Sequence, residues 1–141
     1  HLRSKNLVYI DDYAHHPSEI NAVSRSLRMM YPDKKLTVLF QPHLFSRTRD
    51  FMDAFAKALG EFDEVLLLDI YPARELPIEG IDSAALLKKI QNGHKYLVQA
   101  DEVCERLKNS ELEIFVSLGA GDIDRLVQPI KTTLEQKLNE G

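Results

Sequence analysis

Five short apolar runs, separated by amphipathic stretches of helical length, constrain this chain more than any other feature of its sequence. The runs are Leu7–Ile10, Leu36–Phe40, Val65–Asp69, Tyr96–Val98 and Ile114–Leu118. Apart from the terminal Asp69 and an occasional Thr or Ser they are continuously apolar, the pattern of strands covered on both faces of a parallel sheet. Between them, Pro17-Ser18-Glu19 opens a helix whose Ile20, Val23, Leu27 and Met30 recur at spacings of three and four, and Tyr31-Pro32-Asp33 stops it. A second helix is expected from Ser46–Asp50 through Phe51, Phe55, Ala58 and Leu59, with Gly60 at its end. Asp82-Ser83 can cap a third through Leu86, Leu87 and Ile90, Asp101 a fourth around Val103 and Leu107, and Asp122 a last one through Leu126, Ile130, Leu134 and Leu138. Parallel neighbours need crossover connections, so this order predicts a three-layer α/β sandwich with a mostly parallel, Rossmann-like sheet of five or six strands.

The 141 residues suit one domain, and neither a repeat nor a linker divides them. A net charge of −4 without any basic run disfavours nucleic acid as a partner. The one cysteine, Cys104, excludes an intrachain disulfide and reads as a small buried residue. No apolar stretch approaches the roughly 18 residues of a membrane span, and no leader opens the chain, so a cytoplasmic location is expected. The first residues, His1-Leu2-Arg3, include no initiator methionine, which predicts a processed chain or a piece of a longer one.

In sheets of this kind ligands bind beyond the carboxyl ends of the strands. The loops there carry Asp11-Asp12-Tyr13-Ala14-His15-His16, Gln41-Pro42-His43-Leu44-Phe45-Ser46-Arg47, Asp69-Ile70-Tyr71-Pro72-Ala73-Arg74-Glu75 and Gly119-Ala120-Gly121-Asp122, whereas the opposite rim carries turn residues. A carboxylate at Asp11 or Asp12 can hold a ribose hydroxyl pair, a magnesium ion or an amine, or else its own loop's amides. His15 can serve as proton donor, phosphate partner or neutral hydrogen-bonding group. His16, next to Pro17, reads more simply as a helix cap. His43 and Arg47 flank a turn into a helix, where free amides and a guanidinium suit a carboxylate or phosphate. Arg49 is expected to pair with Asp53 at i+4, and Asp122 to cap a helix. No metal site is expected, and no G-x-x-x-x-G-K-[ST] loop, G-x-S-x-G elbow or H-E-x-x-H motif is present.

The four segments Asp11–Glu19, Phe40–Thr48, Asp69–Glu75 with Pro77, Ile78 and Gly80, and Gly119–Ile123 resemble, in order and over nearly the whole chain, the C-terminal domain of the Mur ligases. The double-histidine and Gln-Pro-His segments most resemble the branch that adds L-alanine to UDP-N-acetylmuramate. The resemblance implies that residues 1–141 are the amino-acid-binding, ATP-contacting domain of a cytoplasmic peptidoglycan-synthesis enzyme. The N-terminal UDP-sugar domain and the central ATPase domain would then lie outside this chain, and the 141 residues alone would be inactive. It further implies an acyl-phosphate intermediate formed with ATP and Mg2+, the latter bound mainly by the central domain, and attack by the amine of L-alanine. Carried over by position, Asp12 would contact the nucleotide ribose with Tyr13 beside it, His15 would lie near the reacting groups, and His43 with Arg47 would hold the alanine carboxylate. Some relatives have a second arginine where this chain has Leu44, which alters the expected carboxylate clamp. Two rivals remain on sequence alone: a phosphoacceptor receiver domain, with an acid pair after the first strand and Asp69 ending the third, and a non-catalytic interaction module of the same class. Against the receiver, the gap from Asp12 to Asp69 is long and no lysine follows the fifth strand.

Overall fold

The computed structural model describes residues 2, 3 and 6–140. Strands β1 (Leu2–Arg3), β2 (Val8–Asp12), β3 (Leu36–Phe40), β4 (Glu64–Leu67), β5 (Lys95–Leu97) and β6 (Ile114–Leu118) form one sheet in the order β1-β2-β6-β3-β4-β5. Strands β2 to β6 are all parallel, and only β1 runs antiparallel, against β2. Two residues cannot show a periodicity, which is why β1 left no sequence signal.

Alternation in the strands builds the three layers, since successive side chains point to opposite faces. Val8, Val38, Phe40, Val65, Leu67, Val116 and Leu118 face α1 (Pro17–Met30), α3 (Met52–Leu59) and α4 (Ser83–Lys89), meeting Ile20, Leu27, Phe55, Leu59 and Leu86. Tyr9, Leu39, Leu66 and Phe115 face the other way, onto Val103 and Leu107 of α5 (Val103–Lys108) and Ile130 and Leu134 of α6 (Val127–Glu140). Both faces are covered, so the central strands need apolar residues throughout. In chain order the five parallel strands lie 1-5-2-3-4. A receiver domain has 2-1-3-4-5, so the sheet order excludes that rival.

Several local expectations are corrected. The first strand extends through Asp11 and Asp12 because β6 continues alongside, pairing Ser117 and Leu118 with them. The third ends at Leu67: the Leu68 carbonyl accepts from Ser83 Oγ at 2.5 Å and that of Asp69 from the Gln41 amide, so Asp69 has left the sheet. The fourth is an edge, with Tyr96 and Leu97 partly exposed and the Arg106 guanidinium 4.4 Å from the Tyr96 ring centre. The expected second helix is two, α2 (Phe45–Asp50) and α3, divided at Phe51, whose ψ of 23° breaks the helix as its ring packs on His16. That break removes the i+4 register, so Arg49 pairs with Asp50 at 2.9 Å and Asp53 with Lys89 at 3.0 Å. Asp101 is no cap: a 3-10 turn, Ala100–Glu102, starts earlier, with Gln99 capping it. Asp122 is no cap either, being the first residue of the 3-10 turn Asp122–Leu126 that follows Gly121. Cys104 is only half-buried, packed beside the α5–α6 core.

Candidate functional site

The helices after β2 and β3 cover one face of the sheet, while that after β6, which lies between them, covers the other. Loops leaving adjacent strands toward opposite faces open a crevice at their carboxyl ends. The β2, β3 and β6 loops line it, and the β4 loop joins them.

The β2 loop is held by the start of α1. His16 is the N-cap: its Nδ1 accepts from the Ser18 amide, and Glu19 at N3 closes a capping box. Glu19 Oε1 accepts from the amides of both His16, at 3.0 Å, and His15, at 3.2 Å, and these contacts draw its carboxyl below the ordinary carboxylate range. Asp12 Oδ1 accepts from the Ala14 amide at 2.8 Å, so one oxygen serves the loop. Tyr13 is largely exposed. His15 Nδ1 lies 2.8 Å from the Tyr13 carbonyl. A carbonyl only accepts, so this contact places the neutral ring's hydrogen on Nδ1 and leaves a lone pair on Nε2.

The β3 loop supplies His43 and Arg47. The Arg47 guanidinium lies beside His43 Nδ1, Nη1 to Nδ1 at 3.4 Å, and His43 stacks on Tyr71 with ring centres 5.4 Å apart. Tyr71 belongs to the β4 loop and is tied to the β3 loop by backbone bonds at both ends, Leu44 N–H to the Tyr71 carbonyl and Tyr71 N–H to the Pro42 carbonyl. Partial burial, then the Arg47 charge and then His15, push His43 below its ordinary 6.5, while Glu75 opposes them. Neutral His43 therefore receives the Arg47 N–H at Nδ1 and carries its own hydrogen on Nε2. Among the described residues Arg47 makes no ion pair, although it is half-buried.

The free helix amides expected near Arg47 are not free. Glu75 accepts from the Ser46 amide at 3.1 Å and from the Ser46 hydroxyl, and these bonds, with the Arg49 charge, lower its carboxyl's pKa. The chain's own carboxylate occupies the start of α2, leaving the side chains of Arg47 and His43 to receive an external anion. Leu44, where some relatives carry arginine, enters α2 at φ 72°, a left-handed conformation rare for a branched side chain.

Buried Gln41 directly follows β3 and joins three loops. Its Nε2 donates to Asp122 Oδ1 at 2.7 Å and to the Asp69 carbonyl at 3.3 Å, and its Oε1 accepts from the Ile123 amide at 2.9 Å. Gly121 lies against this group: a Cβ there would come within 2.6 Å of Tyr71 Cγ and 2.8 Å of Gln41 Oε1. Beyond Tyr71, on the α5–α6 face, a cavity of about 370 Å³ is bordered by Asp69, Gln99, Asp122 and Arg125. Tyr13, His15, His43 and Arg47 thus fall on facing loops, with the His15 and His43 ring centres 6.0 Å apart. Sequence reading assigned no role to Gln41, Tyr71 or Glu75. Only Gln41 left a signal, as a polar residue directly after the apolar run Val38–Phe40.

An open, largely parallel α/β sheet with helices on both faces, and with histidines and an arginine gathered at its strand ends, defines a domain of the doubly wound class. Residues 1–121 match the family described as Mur ligase, glutamate ligase domain, and the chain belongs to that family. Similar relatives include the UDP-N-acetylmuramate–L-alanine ligases of Flavobacterium psychrophilum, 57% identical over 136 residues (96% of this chain, 30% of the relative), and Christiangramia forsetii, 57% identical over 133 residues (94% and 29%). Among solved structures, the UDP-N-acetylmuramate-alanine ligase of Thermotoga maritima superposes with a TM-score of 0.68 at 27% identity, covering 96% of this chain and 27% of its own. A folylpolyglutamate synthase of the same organism, 16% identical at a TM-score of 0.54, shares the fold. The chain therefore spans only 29–30% of the length of those curated relatives. Membership of a ligase family also removes the interaction-module reading.

Proposed function

We propose that this chain is the C-terminal domain of an ATP-dependent, ADP-forming ligase that joins L-alanine to UDP-N-acetylmuramate, and that its part is to bring the amino acid to the reacting carboxyl. The reading is supported above all by Arg47, a half-buried guanidinium whose described partner is a neutral imidazole rather than an acid. Such a group is set to receive an external carboxylate, with the His43 Nε2–H as a second donor. L-Alanine bound there presents its amine on the side of His15.

The amine nitrogen attacks the carbonyl carbon of the muramyl acyl phosphate, forming the C–N bond while the C–O bond to phosphate breaks and inorganic phosphate leaves. The surplus amine proton needs an acceptor, and the His15 Nε2 lone pair supplies one. Asp12, with one carboxylate oxygen not engaged by Ala14, and exposed Tyr13 are assigned to the nucleotide ribose. Among the described residues no group of three or more His, Cys, Asp or Glu side chains is arranged to hold a metal ion. Among the described residues no helix is long and apolar enough to cross a membrane.

The test is turnover in the full-length enzyme that carries this chain, given ATP, UDP-N-acetylmuramate and L-alanine. Alanine-dependent release of ADP is expected there, and none from the 141 residues alone, which have no phosphate-binding loop motif. ADP release that ignored L-alanine but followed a different amino acid would refute the substrate assignment.

A further inference from the structure

Gln41 has no role in the ligation just described, yet its side chain is the most connected polar group at the crevice. It is 7% exposed, and both amide hydrogens and the oxygen are engaged by elements on either side of β3. On one side stands the β4 loop, through the Asp69 carbonyl. On the other stands the β6 loop, through the Asp122 carboxylate and the Ile123 amide. The backbone of Gln41 adds its amide to the Leu118 carbonyl at 3.1 Å, where the β6 loop begins.

These bonds link parts that function apart in the sequence. Tyr71, two residues beyond Asp69, stacks on His43, and the Gly121 Cα faces Tyr71 and Gln41 Oε1 too closely for any Cβ. The β6 loop therefore abuts the Tyr71 ring, which stacks on His43 beside Arg47. The amide is matched to the position. Its NH2 donates toward two acceptors and its oxygen accepts from one donor, a pattern neither a carboxylate nor a hydrocarbon of the same shape reproduces.

We infer that Gln41 is a positioning residue that locks the β6 and β4 loops together and thereby fixes the Tyr71–His43–Arg47 stack against which the amino acid binds. The functional half of this inference rests on the proposed ligase reading; the lock itself does not. Asp12, at the end of β2, and Tyr13 make no bond to the Gln41 side chain, and the Gly119 amide reaches only the Asp12 backbone carbonyl, at 3.2 Å, so the lock acts more on the amino acid than on the nucleotide.

The test uses Gln41→Glu, Asp122→Asn and the double variant in the full-length enzyme. Gln41→Glu sets an acceptor against both Asp122 Oδ1 and the Asp69 carbonyl, and Asp122→Asn then restores a donor to the first and shorter of these contacts with the roles reversed, so recovery is expected to be partial. The KM for L-alanine should rise about tenfold in Gln41→Glu with that for ATP changed less than about twofold, and return to within about threefold of wild type in the double variant. The excess alanine KM of Gln41→Glu should shrink as pH falls and a proton is shared by the paired carboxyls. Hydrogen exchange of the Ile123 amide, read in the same proteins, should speed about tenfold in Gln41→Glu and recover in the double variant. An alanine KM unmoved by Gln41→Glu, equal changes in both KM values, or no recovery in the double variant would overturn the positioning role. Unchanged Ile123 exchange would overturn the lock. A wild-type enzyme without alanine-dependent turnover would count against the ligase reading instead, and the exchange result would still decide the lock.

Discussion

His15 and His43 meet edge to face across the crevice, ring centres 6.0 Å apart, and their partners hold them in opposite tautomers. The Tyr13 carbonyl keeps the hydrogen of His15 on Nδ1, while the Arg47 N–H keeps that of His43 on Nε2. One ring thus offers a lone pair and the other a hydrogen at the same ring position. An amino acid has the reverse needs, an amine that must lose a proton and a carboxylate that accepts hydrogen bonds.

That arrangement depends on His43 being neutral. Burial and the neighbouring Arg47 and His15 depress its pKa below 6.5, so below that pH the unfolded chain takes up a proton that the folded chain refuses. Stability should therefore decline as pH falls from above 6.5 toward the depressed value. Urea unfolding at pH 7.5 and 5.5 checks the sign: the loss between the two should be smaller in His43→Gln than in wild type. A carboxylate bound between Arg47 and His43 should raise the His43 pKa, visible as an upward shift of its titration by NMR when L-alanine is added to the full enzyme with its other substrates.

Asp12→Ala tests the nucleotide side. With the oxygen that accepts from Ala14 and the one assigned to ribose both lost, turnover should fall or the KM for ATP rise by about tenfold, equivalent to about 1.4 kcal/mol. The KM for L-alanine should move by less than about twofold, since Asp12 lies on a different loop from Arg47. Steady-state kinetics with each substrate varied in turn distinguishes the two.

Gly121→Ala probes the packing between the β6 and β4 loops. The new methyl would overlap Tyr71 Cβ, 2.7 Å away, as well as Gln41 Oε1, and neither neighbour is the free end of a flexible chain. A destabilisation of about 1–3 kcal/mol is expected, the usual cost of overpacking. Gly93→Ala, with open space around its Cα, should differ from wild type by far less. Chemical denaturation of both variants checks the contrast.

The strands, helices and layer class were legible because burial on both faces demands continuous apolar runs, and a single covered face on each helix demands a period near 3.6. The loops bearing Asp12, His15, His43 and Arg47 were legible for a related reason: strand ends collect chemistry, so polar residues there stand out. What could not be read was pairing across distance. Glu75 caps a helix that begins thirty positions earlier in the chain, and Gln41 finds Asp122 across a strand that is adjacent only once the order β6-β3-β4 is known. The expected Arg49–Asp53 pair failed because a helix period was assumed to run through Phe51, whose ring instead turns onto His16.

The central claim is that Arg47 holds the carboxylate of L-alanine, and Arg47→Ala in the full-length enzyme tests it most directly. Loss of a charge-assisted contact of about 1.5–3 kcal/mol should raise the KM for L-alanine by about 10- to 150-fold while the KM for ATP stays within about twofold. An alanine KM equal to that of wild type in a folded Arg47→Ala enzyme would contradict the assignment.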